Sequence, residues 1–483
     1  MRAFDVASVC PFLLSIALAG CGGTGANSGI SGDGTDSGGG NGSGPGSSDG
    51  TDSGGAIGPS NPGSDAGSGV MMSDSGSMPL PSNGGDSGVG TPDAGGVKDA
   101  SPPLDSSAPF APAPHPAFPQ LVSGGGVVLT NPQVLPVFFS NYDLIPQMTQ
   151  LVEGLPTATL ANGDSYWTSS VSEYGVGPLT VLPAVTVSQA APTTDTDPVA
   201  FLQSQLSTAP FKNITPSTIL AVFYPASTPL QGSCAATTPG YGGYHDSFKN
   251  GSNDQPYAVM TECAKFGPIT NAADMVSVAV SHEVIEAATD PYPSNTPAYG
   301  GLDNSPAGFA MGVFLQGNAE NGDLCAINAG FGRGPASFPF LMQRGWSNKA
   351  AMAGNLDPCS PDIRPAQPYV GAYPVMPDMV NVTGTTGPGI QIPVGQSKTV
   401  EVDLFSFEPT GDFNLLARQA SSVNPPTLTF SWDKTSGKNG DKLHLTITAV
   451  TASNSGYDTF VIQTSLPGTT DTQKPAWAGV VTH

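Results

Sequence analysis

The chain has 483 residues, room for two or three domains, with 62 Gly, 48 Pro and only 11% charged residues. A formal net charge of −23 excludes nucleic acid as a partner, because phosphate binding needs a basic surface. Much of this acidity is Asp scattered through the first hundred or so positions, where it serves solubility.

Residues 1–21 read as a secretion signal. Arg2 supplies the positive start, and the apolar run from Pro11 to Gly20 is too short to span a bilayer. It ends in Leu18-Ala19-Gly20-Cys21, which resembles the bacterial lipobox, whose cysteine is lipidated and becomes the mature N-terminus. Gly22, rather than Asp, follows; in Gram-negative lipoproteins this permits outer-membrane sorting. Residues 22–115 are Gly, Ser, Asp, Asn, Thr and Pro with few large apolar residues, so they cannot bury enough surface to offset chain entropy and form a disordered tether. The expected location is an exported lipoprotein, anchored to the outer membrane through Cys21 at the cell surface.

Globular sequence begins near Pro116. Val134–Phe139 reads as a strand, and Leu144–Leu155 has helical spacing. Tyr166, Trp167 and Tyr174 are core aromatics. Asp197-Pro198 starts a helix over Val199–Leu206. Thr218–Tyr224 and Tyr257–Thr261 are further strands, so residues 116–361 are expected to form an α+β (or α/β) domain with one mixed sheet. Of the six cysteines, Cys234, Cys263, Cys325 and Cys359 remain after the signal region. In an exported chain they predict two disulfides, Cys234–Cys263 and Cys325–Cys359, each closing a local loop. A four-cysteine zinc site lacks the paired Cys-x-x-Cys spacing.

The stretch His282-Glu283-Val284-Ile285-Glu286 carries the chemistry. His282 and Glu286 share one helix face, with Glu283 beside it. This is the spacing of the zinc-peptidase His-Glu-x-x-His helix, with a carboxylate in place of the second histidine. Asn271 or Asp274 can cap the helix, and Pro291 ends it at Asp290. Apolar residues cover most of its circumference, so the helix is buried. A His and two Glu inside such a helix are costly unless paired or metal-bound.

Residues 292–361 look loop-rich. From residue 362 to 483, strands alternate without helical stretches. Val400, Val402 and Leu404 alternate, Phe405 and Phe407 follow on the other phase, and Leu443, Leu445, Ile447 and Ala449 alternate after the turn Asn439-Gly440. Tyr457–Ile462 is another strand. This predicts an all-β immunoglobulin-like sandwich in which His444 is exposed.

The ordered set His282-Glu283-x-x-Glu286-x-x-Thr289-Asp290-Pro291, Glu320-x-Gly322-Asp323-x-Cys325, then Gln343 and Trp346-Ser347-Asn348 before Cys359, resembles the EXORDIUM-like (phosphate-induced protein) family and its bacterial metallopeptidase-like relatives over residues ~120–361. The Gly243-Tyr244-His245 stretch fits as well. Tyr292-Pro293-Ser294-Asn295 stands where the family has Asn-Ala-Trp, and the segment before Glu320 is longer and Gly-rich. The resemblance implies a zincin-like domain and an extracellular role linked in plants to growth and the cell wall.

A catalytic zinc site needs a third protein ligand and an open position. Histidines are scarce: His115 lies in the tether, His444 in the sandwich and His483 at the end. The candidates are Glu320, favoured because it belongs to the second family motif, then His245, Asp323 and Asp290. Asp323 would suit an orienting role on His282. Glu283 would be the general base toward a metal-activated water. So carboxylate-rich a set lowers Lewis acidity and admits Ca²⁺ or Mn²⁺ as well as Zn²⁺. Two functions are expected. One is a zinc-dependent hydrolase, most simply a peptidase acting on extracellular protein. The other is a non-catalytic surface protein that binds a wall or matrix polymer.

Overall fold

The computed structural model describes residues 109–160, 163–234, 241–263, 269–317, 319–327, 330–363, 367–420, 425–467 and 475–483. The expected signal, the lipidation site Cys21 and the tether as far as residue 108 lie outside the described residues.

In chain order the first region contains β1 (Leu121–Val122), β2 (Gln133–Phe138), α1 (Ile145–Gly154), α2 (Tyr166–Val171), β3 (Thr180–Val181), β4 (Val185–Thr186), α3 (Pro198–Gln205), β5 (Thr218–Tyr224), β6 (Gly243–Asn250), β7 (Asn253–Thr261), α4 (Ala272–Thr289), β8 (Gly301–Leu302), α5 (Pro306–Phe314), α6 (Asn321–Ala326), β9 (Phe331–Arg333), β10 (Leu341–Gln343), β11 (Gly345–Trp346), α7 (Asn348–Ala353) and β12 (Cys359–Ser360). Its main sheet is mixed, in the order β3-β2-β5-β7-β6, with β4 also pairing β2. Strands β2, β5 and β7 run parallel, and β6 is an antiparallel edge strand. Every residue of β5 is buried, as a central parallel strand covered on both faces must be. In α1, Met148, Leu151 and Val152 recur at helical spacing and face inward. The Asp197 carboxylate accepts from the Val199 N–H at 2.8 Å and Pro198 opens α3.

The long helix α4 lies across this sheet and is buried from Met275 to Thr289. It packs on β5, β6 and β7, and on its other sides against α1, α2, α6 and β10. Among its described residues, the stretch expected to be loop-rich holds three helices. Helix α5 escapes a sequence reading because Gly308 and Gly312 oppose helix formation. Ser305 nevertheless caps the Gly308 N–H at 3.0 Å, and a Cβ at Gly308 would stand 2.3 Å from the Asp303 carbonyl oxygen, so glycine is required there.

The second region contains β13 (Val370–Pro374), β14 (Asp378–Val382), β15 (Thr385–Gln391), β16 (Ser397–Ser406), β17 (Phe413–Gln419), β18 (Leu428–Trp432), β19 (Ser436–Gly437), β20 (Lys442–Ala449), β21 (Tyr457–Ser465) and β22 (Ala476–Thr482). They form two sheets, β13-β16-β20-β18 and β14-β15-β22-β21-β17-β19, which share one apolar core. Val400 lies opposite Leu445 and Val402 opposite Leu443, with both alternating sets turned inward. Gly440 takes the positive φ of 87° that the turn before β20 requires.

The phase change at Phe405 and Phe407 has a tertiary cause. Both rings leave the sheet core and join Phe118, Tyr369 and Trp477 in the core of the first region; Phe118 stacks on Trp477 at 4.8 Å between ring centroids. The apolar core is thus continuous across the expected boundary near residue 361. His115, expected in the tether, stacks on Phe405 at 4.4 Å, so packed chain starts before Pro116. The fold class is mixed helix and sheet with several sheets. Both expected disulfides are present, each with Cα atoms 5.7 Å apart. Among the described residues no helix is long and apolar enough to cross a membrane.

Candidate metal centre

Three elements build the site. Asn271 caps α4 by accepting from the Asp274 N–H at 3.1 Å, and Asp290 ends it, so His282, Glu283 and Glu286 fall in its most buried stretch. Their exposures are 2%, 2% and 0%. On β6 the pleat turns Gly243 and His245 toward α4 and leaves Tyr244 on the other face, beside Tyr257. The turn into α6 brings Glu320 and Asp323, and the Cys325–Cys359 disulfide ties that helix to β12.

Glu286 is the hub. Its Oε1 accepts from the N–H groups of Gly322 (3.0 Å) and Asp323 (3.1 Å). Its Oε2 lies 2.9 Å from His282 Nε2 and 3.7 Å from His245 Nδ1. His245 Nδ1 is also 3.4 Å from Glu283 Oε2, while His282 Nε2 is 3.7 Å from Asp323 Oδ1 and 4.0 Å from Glu283 Oε1. The far nitrogen of His245 faces the Asp290 carbonyl at 3.2 Å and Glu320 Oε1 at 3.5 Å. A carbonyl oxygen can only accept, so Nε2 carries a proton, and Nδ1 points into the cluster, where only the neutral imidazole would offer it as a ligand.

Proximity here is not hydrogen bonding. His282 Nε2 and Glu286 Oε2 are within reach, yet the N–H direction does not meet the oxygen, and both atoms are buried without a hydrogen-bond partner. The same holds for His245 Nδ1 and Glu283 Oε2. Each such atom costs about 1–3 kcal/mol if left unsatisfied. Among the described residues no lysine or arginine pairs with Glu283, Glu286, Asp290 or Glu320.

The protonation equilibria reflect this crowding. Burial pushes the His282 imidazole down, but Glu286, Glu283 and Asp323 together outweigh it and raise it to about 10. His245 is likewise raised despite burial, chiefly by Glu320. Burial raises Glu320 to about 8, against the pull of His245. Burial also raises Glu283, whereas His282 and the two backbone N–H groups hold Glu286 low.

These residues fit a divalent cation. Two trios offer ligand atoms all within 4.8 Å of one another: His245, Glu283 and Glu286, and His282, Glu286 and Asp323. Imidazole nitrogen with carboxylate oxygen suits Zn²⁺ or Mn²⁺. Two glycines keep the space clear. A Cβ at Gly322 would stand 2.7 Å from His282 Nδ1 and 2.8 Å from Glu286 Oε1, and one at Gly243 would stand 2.9 Å from Glu283 Oε1. A cavity of about 10 Å³, the space of one water, opens on His282 and Glu283 and is lined by Gly242, Gly243, Met275, Val278 and Ala279.

The predicted residues therefore separate. His282, Glu286, Glu283, Asp323 and His245 converge. Glu320, the favoured third ligand, belongs to neither trio and stands behind His245. Asp323, expected behind His282, faces the same Nε2 that Glu286 faces. Asp290 turns Oδ1 to the Ala298 N–H at 2.8 Å. The remaining motif residues are structural. Gln343 donates to the Gly322 carbonyl at 2.6 Å and accepts at its own carbonyl from Tyr166 Oη. Ser347 caps α7, and Asn348 both donates to and accepts from the Leu121 backbone at 2.8 Å. His444 is exposed and pairs with Asp433 at 3.0 Å. The roles of Gly322 and Gly243 were not read from the sequence; the Glu-x-Gly-Asp and Gly-Tyr-His motifs were their only trace.

No family model matches the chain, and no curated protein matches it. Among solved structures, the Bacteroides ovatus GH5 xyloglucanase in complex with a XXXG heptasaccharide is similar over 18% of this chain and 15% of its own, at 13% identity and a TM-score of 0.12. A likeness so partial defines neither fold nor function.

Proposed function

We propose that the protein is an exported, metal-dependent hydrolase of the His-Glu-x-x-Glu type, most simply a peptidase. The observation that carries this reading is a buried set of imidazole and carboxylate atoms with no hydrogen-bond partners, placed beside a one-water cavity that Glu283 borders. A divalent ion, Zn²⁺ or the harder Mn²⁺ or Ca²⁺, would supply Lewis-acid polarisation there. His282 and Glu286 would hold it, joined by Asp323 or His245. Glu283 would take the proton of the water, a task to which its raised pKa is suited. Glu320 orients His245 through Nε2. The mixed sheet with an antiparallel edge strand beside the site helix supports a zincin-like reading of the first region, and the motif order resembles the EXORDIUM-like family. The two sheets of the second region support an immunoglobulin-like sandwich. Two disulfides support export to an oxidising compartment, with Cys21 as the outer-membrane anchor.

The test is metal analysis of the purified protein together with a Glu283→Gln variant assayed on a peptide library. The variant should still bind metal through His282, Glu286 and Asp323 and lose about 10²–10⁴-fold in turnover. A metal-free protein showing no metal-dependent thermal shift would sink the reading.

One observation favours a second reading, a non-catalytic surface protein that binds a wall or matrix polymer. The cluster is sealed, whereas a cleft of about 500 Å³ lies elsewhere among the described residues and is lined by Asp303, Phe309, Gln316, Thr383 and Tyr457. On this reading, polysaccharide or peptidoglycan binding survives Glu283→Gln and His282→Ala and is lost in Tyr457→Ala.

A further inference from the structure

The structure assigns the cluster to two divalent cations bridged by Glu286, not to one. The inference rests on the metal-binding reading above and deepens it. The two trios overlap only at Glu286, and neither contains both histidines. His245 with Glu283 forms one lobe, and His282 with Asp323 forms the other. Two backbone N–H groups fix Glu286 Oε1, and this sets Oε2 between the two imidazoles, 2.9 Å from one and 3.7 Å from the other. A carboxylate in that position can reach an ion on each side, and paired ions in such sites stand about 3.5–4 Å apart.

Charge points the same way. With both imidazoles neutral as ligands, the buried Glu283, Glu286 and Asp323 carry three negative charges, and the Glu320 side chain lies just behind His245. One divalent ion leaves a net buried anion even for these three groups, and a second ion answers it. Each lobe also has its own glycine. Gly243 leaves room beside Glu283, and Gly322 leaves room beside His282 and Glu286.

The full exported chain, stripped with chelator and dialysed against Mn²⁺ or Zn²⁺, should hold two ions per chain by elemental analysis. The Mn²⁺ form should give the electron paramagnetic resonance signal of a spin-coupled pair. His245→Ala and Asp323→Asn should each retain one ion, with the coupling lost. One ion in the unmodified chain at saturating metal overturns the two-ion assignment and leaves the metal-binding reading standing; no ion overturns both. Because the count is made on the unmodified chain, the outcome does not depend on a variant folding. For the variants, a native far-ultraviolet circular dichroism spectrum with no ion remaining argues for one shared site and against two.

Discussion

The two regions of the molecule treat charge in opposite ways. Between β2 and β12, His245, His282, Glu283, Glu286, Asp290, Glu320 and Asp323 all sit in the interior, and no described lysine or arginine pairs with Glu283, Glu286, Asp290 or Glu320. Between β13 and β22, the ion pairs Lys442–Glu401 and His444–Asp433 stand in solvent, and the buried Asp458 is answered by His483 at 2.8 Å and by Gln419 at 3.2 Å. The strand region places charge where water screens it and fills its core with Val, Leu, Ile and Phe. The helix region gives up that economy over one turn of α4. Around α4 five buried carboxylates share only two imidazoles, an excess that protons or a bound ion must complete, and this contrast marks the site more firmly than the five-residue motif does.

The comparison can be broken first by removing metal. If the cluster is ion-filled, chelation should destabilise the protein by about 4 kcal/mol at free metal a thousandfold above Kd, read from urea unfolding with and without chelator. An unchanged midpoint would mean that the helix region tolerates its charges unaided. A comparable loss from the strand region should have a different character. Leu445→Ala, at a fully buried position facing Val400, should cost about 3 kcal/mol while the ion content stays constant. Loss of metal in that variant would show that the two regions are not independent in function.

A smaller effect separates the metal-free and loaded proteins by pH. His282 is raised to about 10 in the folded state from an unfolded value near 6.5, so its contribution is fully present below pH ~6.5 and lost as pH rises toward 10. Glu320 is raised to about 8, so the folded state again holds the extra proton and loses stability as pH climbs from ~4.3 to 8. Metal competes with those protons. Melting curves with and without chelator should therefore converge in acid and diverge in alkali; curves that stay parallel from pH 5 to 9 would contradict a proton-holding, metal-exchanging cluster. Lys442→Ala should be the smallest perturbation. Its ammonium and the paired Glu401 are solvent-exposed, so thermal and chemical midpoints should not move measurably.

Much of this contrast was legible in the sequence. The apolar run of β5, the cap and stop of α4, the alternation in β16 and β20 and the disulfide pairing follow from periodicity, turn chemistry and loop closure, which are local. Helix α5 was not legible, because Gly308 and Gly312 oppose helix formation and Gly308 is required by a contact with Asp303. The phase change at Phe405 and Phe407 was readable as a pattern, but its cause, the aromatic core shared with Phe118 and Trp477, was not.

The sequence by itself determined that a histidine and two glutamates share a buried helix, because helical spacing and apolar surroundings are properties of neighbouring residues. Only the tertiary structure decided what they meet. Strand β6 runs antiparallel at the sheet edge, and this brings His245 within 3.4 Å of Glu283 from 38 positions earlier in the chain. The turn into α6 presents two backbone N–H groups to Glu286, which set its second oxygen between the histidines and put Glu320 behind His245. Ligand sets depend on distances between segments far apart in sequence, and those distances are fixed by strand pairing and helix packing rather than by any local signal.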